Sequence, residues 1–253
     1  MINKLDISMY IDAHTHLDFY GDNISKAIKD INENRIVTLA ISMDIESYNK
    51  NKEYSKESEY IKPCFGIHPW KANEYNKDLK ELIPYIEESE MIGEIGLDYV
   101  WVEDKSTYEK QRAVFKFILD ESIKRNKVIN LHTKGAEEEI YNILNKYNYN
   151  KVIIHWYSGD LEILNKLINI GCYFTISVDI GFDEYTYKVL DKIPLDKLLL
   201  ETDGPTALEW INGEYAYPSF IKEVYNRVSK HKNIGINDLK KLIEVNYNNL
   251  LKL

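Results

Sequence analysis

A chain of 253 residues is long enough to bury one large core, and 44% hydrophobic with 29% charged residues describes an ordinary globular protein. The formal net charge of -9 argues against a basic surface that grips nucleic acid non-specifically, although bound divalent cations would reverse the field locally. Cys64 and Cys172 stand alone inside apolar runs, which points to core residues in a reducing compartment rather than a disulfide or thiolate site. No basic-then-apolar leader is present and no apolar run reaches the ~18 residues of a membrane span. The expectation is a cytoplasmic protein with no membrane partner. The oligomeric state is left open, with a monomer favoured.

Short apolar runs and segments of helical spacing alternate along the chain. A run at 9–14 ("MYIDAH") precedes a predicted helix at 24–34, and runs follow at 35–42 and 62–68. A predicted helix at 77–89 leads to a run at 91–97. The clearest helix is predicted at 106–125, where Val114, Phe117, Ile118 and Glu121 recur at three-to-four spacing. Runs at 127–132, 151–155, 172–177 and 197–202 then alternate with helices at 135–147, 160–170 and 183–193. Two more helices, at 218–231 and 236–253, complete the series. Most runs are near-continuous in hydrophobicity, as expected of strands buried on both faces of a parallel sheet. Eight strand–helix units predict the α/β class and a (β/α)8 TIM barrel, a single domain over 1–253. No Gly-rich dinucleotide fingerprint follows the first run.

In such a barrel, chemistry sits where strands end. Asp12, His14 and His16 are two apart on a strand and share one face. His68 ("GIHPW"), His132 ("NLHTK") and His155 ("IIHWYSG") also fall at strand ends, whereas His231 lies at a helix end, where a surface role near the dipole is expected. Glu94 lies within an apolar run and Asp203 just after the last one. A single strand-end histidine is more often a hydrogen-bonded polar cap than a ligand. A buried carboxylate such as Glu94, however, costs several kcal/mol, roughly, unless it is neutralised. Even four of these imidazoles with two carboxylates exceed what one ion with an open position needs, so two divalent ions are expected, with Glu94 as the bridge.

Read in order, "IDAHTHLD", "GIHPW", "GEIGLDY", "LHTKGA", "HWYSG", "LLLETDGP" and "VNYNNLLKL" resemble the TatD family of metal-dependent hydrolases, within the amidohydrolase-like barrel enzymes. The resemblance runs from residue 11 to the C-terminus. It implies a DNase, with an exonuclease acting on DNA ends through a water activated by two metals. It also implies that His14, His16, Glu94 and Asp203 surround one metal and that Glu94, His132 and His155 surround the other. His68 would face the substrate phosphate, Asp203 would orient or deprotonate the water, and Asp12 would orient a ligand imidazole. Metal identity stays open among magnesium, manganese, zinc, iron and cobalt. Two departures stand out: Lys134 where the family has arginine, leaving a point charge without a bidentate fork, and "TALEWINGEYAYPSF" after Pro205. Trp70, Tyr99, Trp101 and Trp156 follow ligand positions and are candidates either for stacking on a base or for loop packing. Two other readings remain: hydrolysis of a C–N or ester bond (an amide, a lactone or an aminoacyl-tRNA ester), and a non-catalytic metal-bound scaffold.

Overall fold

The computed structural model describes residues 8–75 and 77–253. Eight strands run β1 (Tyr10–Thr15), β2 (Ile36–Ile41), β3 (Ile61–Phe65), β4 (Met91–Gly96), β5 (Val128–His132), β6 (Val152–Ile154), β7 (Tyr173–Ile176) and β8 (Leu198–Leu200). They pair in sequence order, each parallel to the next. Every residue of β2, β4 and β5 is buried, which is why these runs carry almost no polar alternation.

The seam between β8 and β1 is closed by other means than a regular ladder. The Asp203 amide donates to His14 O at 2.9 Å, and the His16 amide to Gly204 O at 2.9 Å. One turn lower, the Tyr225 hydroxyl accepts from Ile11 N at 3.1 Å and donates to Ile11 O at 3.2 Å, satisfying a backbone pair that a neighbouring strand would otherwise take. The seam therefore tethers the segment carrying Asp203 directly to the end of β1.

Helices cover the outside. The helix Tyr108–Lys124 buries Gln111, Val114, Phe115, Ile118, Leu119 and Ser122. Its inner face is rotated from the predicted one: Val114 and Ile118 are inside, while Phe117 and Glu121 flank them half-buried. The helix Ile45–Ser55 escapes hydrophobic periodicity altogether, because its buried positions are Ser47, Tyr48 and Asn51. It is specified by polar groups instead. A capping box joins Asp44 and Ser47, and Asn51 Nδ2 donates to Ala40 O at 3.3 Å, Ile41 O at 3.1 Å and Ser42 Oγ at 3.1 Å. A short helix, Thr206–Asn212, occupies the segment after Pro205. Cys64 and Cys172 are both free and buried in the core. Among the described residues no helix is long and apolar enough to cross a membrane.

Two glycines set how closely the strand ends approach. A Cβ on Gly66 would meet Glu94 O at 2.3 Å and Glu94 N at 2.5 Å. Gly96 has φ +150°, and its Cβ would meet His132 O at 1.9 Å. Both clashes are with backbone, so β4 lies against its neighbours at a spacing that only glycine permits.

Candidate metal centre

His14 and His16 project from the end of β1 with their Nε2 atoms 3.3 Å apart. Each Nε2 is 3.5 Å from Glu94 Oε2, and they lie 3.6 and 3.5 Å from Asp203 Oδ1. Ligands about 2.0–2.2 Å from a common centre in tetrahedral array are roughly 3.4 Å apart. These five separations therefore fit donors facing one ion. The tautomer fits as well. His14 Nδ1 donates to Asn130 Oδ1 at 3.0 Å, and that amide is oriented because its Nδ2 donates to Ala13 O at 3.0 Å. In the neutral ring Nε2 of His14 thus carries the lone pair. Burial opposes charge on this imidazole, yet Glu94, then Asp203 and Glu201, lift its pKa to about 10. The cluster is built to hold positive charge.

The other oxygen of Glu94 faces a second group. Oε1 lies 2.7 Å from His132 Nδ1, 3.0 Å from His155 Nε2 and 3.6 Å from His68 Nε2. His132 Nε2 donates to Asp98 Oδ2 at 2.9 Å, and His155 Nδ1 faces Glu201 Oε1 at 3.3 Å. Each ring therefore has a carboxylate at its far nitrogen, which leaves the near nitrogen free to bind. Although 3.0 Å from Glu94 Oε1, the buried His155 Nε2 makes no aligned hydrogen bond, as a ligand nitrogen would. Burial alone would raise the Glu94 pKa, but His68, His155, His14 and His132 together hold it well below the usual range. Asp98 also accepts from Trp70 Nε1 at 2.7 Å, Val100 N at 2.9 Å and Trp101 N at 2.8 Å. These bonds and His132 overcome the effect of burial and bring its pKa to about 2.

His68 differs from the other four histidines of the centre. Its Nδ1 accepts from Trp70 N at 3.1 Å, so in the neutral ring Nε2 carries the proton. Burial pushes its pKa down to about 4, which keeps it neutral. It offers an N–H toward the centre rather than a lone pair.

Asp12 does not take the role expected of it. Its oxygens accept from Thr202 N at 3.0 Å, Thr202 Oγ1 at 2.6 Å and His14 N at 3.3 Å, so it ties β1 to the end of β8 and leaves imidazole orientation to Asn130. Burial raises its pKa to about 7. Asn130, Asp98 and Glu201 were not anticipated as partners of the site. Asn130 stands two residues before His132 on β5, and Asp98 and Glu201 lie inside segments that also hold Glu94 and Asp203. Spacing from a ligand was the available signal. His231 behaves as expected at a helix end, with Nε2 2.8 Å from Asp191 Oδ1.

The centre floors a cavity of about 700 Å³ lined in part by His16, Glu94, His132, His155 and Asp203, and by Trp70, Trp101, Trp156 and Trp210. Lys134 lines it too, its Nζ donating to Trp156 O and to Ser158 Oγ (3.1 Å) and lying 5.2 Å from the Trp156 ring centroid. Tyr99 instead stacks on Tyr108 and donates to Glu139 Oε2 at 2.9 Å, the packing role. The Trp156 indole is held by Asp179 Oδ2 at 2.8 Å.

The sequence profile of the TatD-related DNases matches residues 11–252. An uncharacterized metal-dependent hydrolase of Methanocaldococcus jannaschii is 27% identical over 94% of both chains. Human deoxyribonuclease TATDN3 is 26% identical, covering 96% of this chain and 93% of that one. The crystal structure of the Escherichia coli TatD homologue YJJV superposes with a TM-score of 0.86 at 20% identity, over 98% of this chain and 99% of that one. The fold match extends, at a TM-score of 0.68 and 14% identity, to a dihydroorotase of Campylobacter jejuni. With a profile spanning the barrel from β1 to the last helix, the chain belongs to the TatD-related DNase family of metal-dependent hydrolases.

Proposed function

We propose that the protein hydrolyses phosphodiester bonds at DNA ends, using two divalent ions. The observation that carries this reading is the division of Glu94. One oxygen faces His14 and His16, with Asp203 completing that group, and the other faces His132 and His155. His14, His16, Glu94 and Asp203 would hold one ion, and Glu94, His132 and His155 the second. When bound, such a pair supplies Lewis-acid polarisation of a phosphoryl oxygen and lowers the pKa of water.

The chain's own groups do the rest. Burial raises the Asp203 pKa, with His14, His155 and His16 opposing; in this reading its carboxylate, which faces the cavity, accepts a proton from the attacking water. The His68 Nε2–H is aimed at the centre and donates to an oxygen on which charge develops. Lys134 adds a cation on the cavity wall. The family name and the deoxyribonuclease name of the human relative support phosphodiester chemistry over C–N or ester cleavage.

The test is a panel of end-labelled oligonucleotides incubated with chelator and then with magnesium, manganese, zinc or cobalt restored. Metal-dependent release of nucleotides from an end is the expected result. Inert oligonucleotides alongside metal-dependent hydrolysis of a lactone or amide would replace this reading with the C–N or ester one.

A further inference from the structure

The strand-end face has an unusual charge for a surface that meets a polyanion. The segments following the eight strands (16–23, 42–44, 66–75, 97–107, 133–136, 155–160, 177–183 and 201–220) carry fourteen carboxylates against three lysines and no arginine. Asp98, Glu201 and Asp203 belong to the centre, Asp179 and Asp183 line the cavity, and the other nine lie elsewhere on these segments. Of the lysines, Lys71 is engaged by Glu74 at 3.0 Å, and Lys134 alone lines the cavity among the described residues. A long strand held by its backbone needs a cation for each phosphate neutralised. Beyond the centre and Lys134, the charged residues lining the cavity are the carboxylates Asp179 and Asp183.

The rim is rich in aromatic surface instead. Trp101 is 69% exposed, Trp210 63% and Phe182 47%, and all three line the cavity from segments that follow different strands. Exposed rings at a cavity mouth suit the flat face of an unpaired base, which stacks without regard to sequence. A cavity of about 700 Å³ is of the size that holds a small ligand.

We propose that the preferred substrate is a short oligonucleotide, a dinucleotide or trinucleotide. Its scissile phosphate lies at the centre, its bases rest on the rim aromatics, and flanking phosphates are disfavoured by the acidic rim. This rests on the phosphodiester reading above and narrows its substrate. It assigns Trp101 and Trp210 to base contact and exposed carboxylates such as Glu103 and Glu209 to exclusion of longer strands.

The experiment compares kcat/KM per end for a dinucleotide, a trinucleotide and a single strand of about twenty nucleotides, with metal saturating, at about 50 and about 200 mM salt. The short substrates are expected to be cleaved at least as efficiently as the long one, with a log–log salt slope of about -0.7 or shallower, one phosphate's worth. In Trp101→Ala and Trp210→Ala, KM for the dinucleotide should rise about fivefold or more with kcat little changed. Glu103→Lys with Glu209→Lys should raise kcat/KM on the long strand and leave the dinucleotide unaffected. A tenfold preference for the long strand with a slope near -2 overturns the length assignment and leaves the phosphodiester reading standing. No cleavage of any of the three overturns both.

Discussion

The two sides of Glu94 are built differently. On one side, His14 is oriented by a neutral amide, Asn130, and His16 Nδ1 is buried with no partner. On the other, His132 and His155 each have a carboxylate at the far nitrogen. A carboxylate partner makes an imidazole more basic and locks its tautomer. The His132/His155 side is therefore the more firmly organised of the two, while the His14/His16 side gains a fourth donor, Asp203, that also faces the cavity. The difference predicts tighter metal binding on the His132/His155 side than on the His14/His16 side.

Glu94→Gln removes charge from both sides at once and should lower turnover by about 10³-fold or more, with both metal equivalents weakened in a calorimetric titration. Asp203→Asn affects one side only. It should lower kcat by about 10²–10⁴-fold while the fold and the second equivalent persist, and near-normal turnover would take Asp203 out of the chemistry. Asp98→Asn should weaken one metal equivalent by about 10–100-fold, and Asn130→Ala should weaken the other by less, an order that sharpens the contrast if found and breaks it if reversed.

Asp98 also gives that contrast a pH dependence. Its folded pKa of about 2 lies below the ordinary ~3.9, so its stabilising contribution is present at neutral pH and is lost as pH falls from about 4 toward 2. Acid unfolding of Asp98→Asn should lose this component of the transition, read by circular dichroism. Gly66→Ala should cost about 1–3 kcal/mol in denaturant unfolding, because the new methyl meets the Glu94 backbone. The smallest effect is expected of Lys134→Arg, a change of a few-fold in KM.

The order of strands and the set of candidate donors were both legible in the sequence, for one physical reason. A parallel strand buried on both faces is written as an apolar run, and a polar residue ending such a run stands out. Glu94 inside β4 is the clearest case. Elements specified by polar contacts were not legible. The helix Ile45–Ser55 turns an asparagine and a serine inward, so its period is invisible to hydrophobicity. Asp12 was misread because strand alternation tells which face a side chain occupies, not which neighbour reaches it first. That neighbour is Thr202, 190 residues away. Asn130 was missed for the same reason: its partner His14 is 116 residues distant in the chain.

The shared role of Glu94 is tested most directly by anomalous scattering from crystals grown with saturating manganese or zinc. Two peaks should flank this carboxylate, one against His14, His16 and Asp203 and the other against His132 and His155. A single peak, or peaks remote from Glu94, would contradict it.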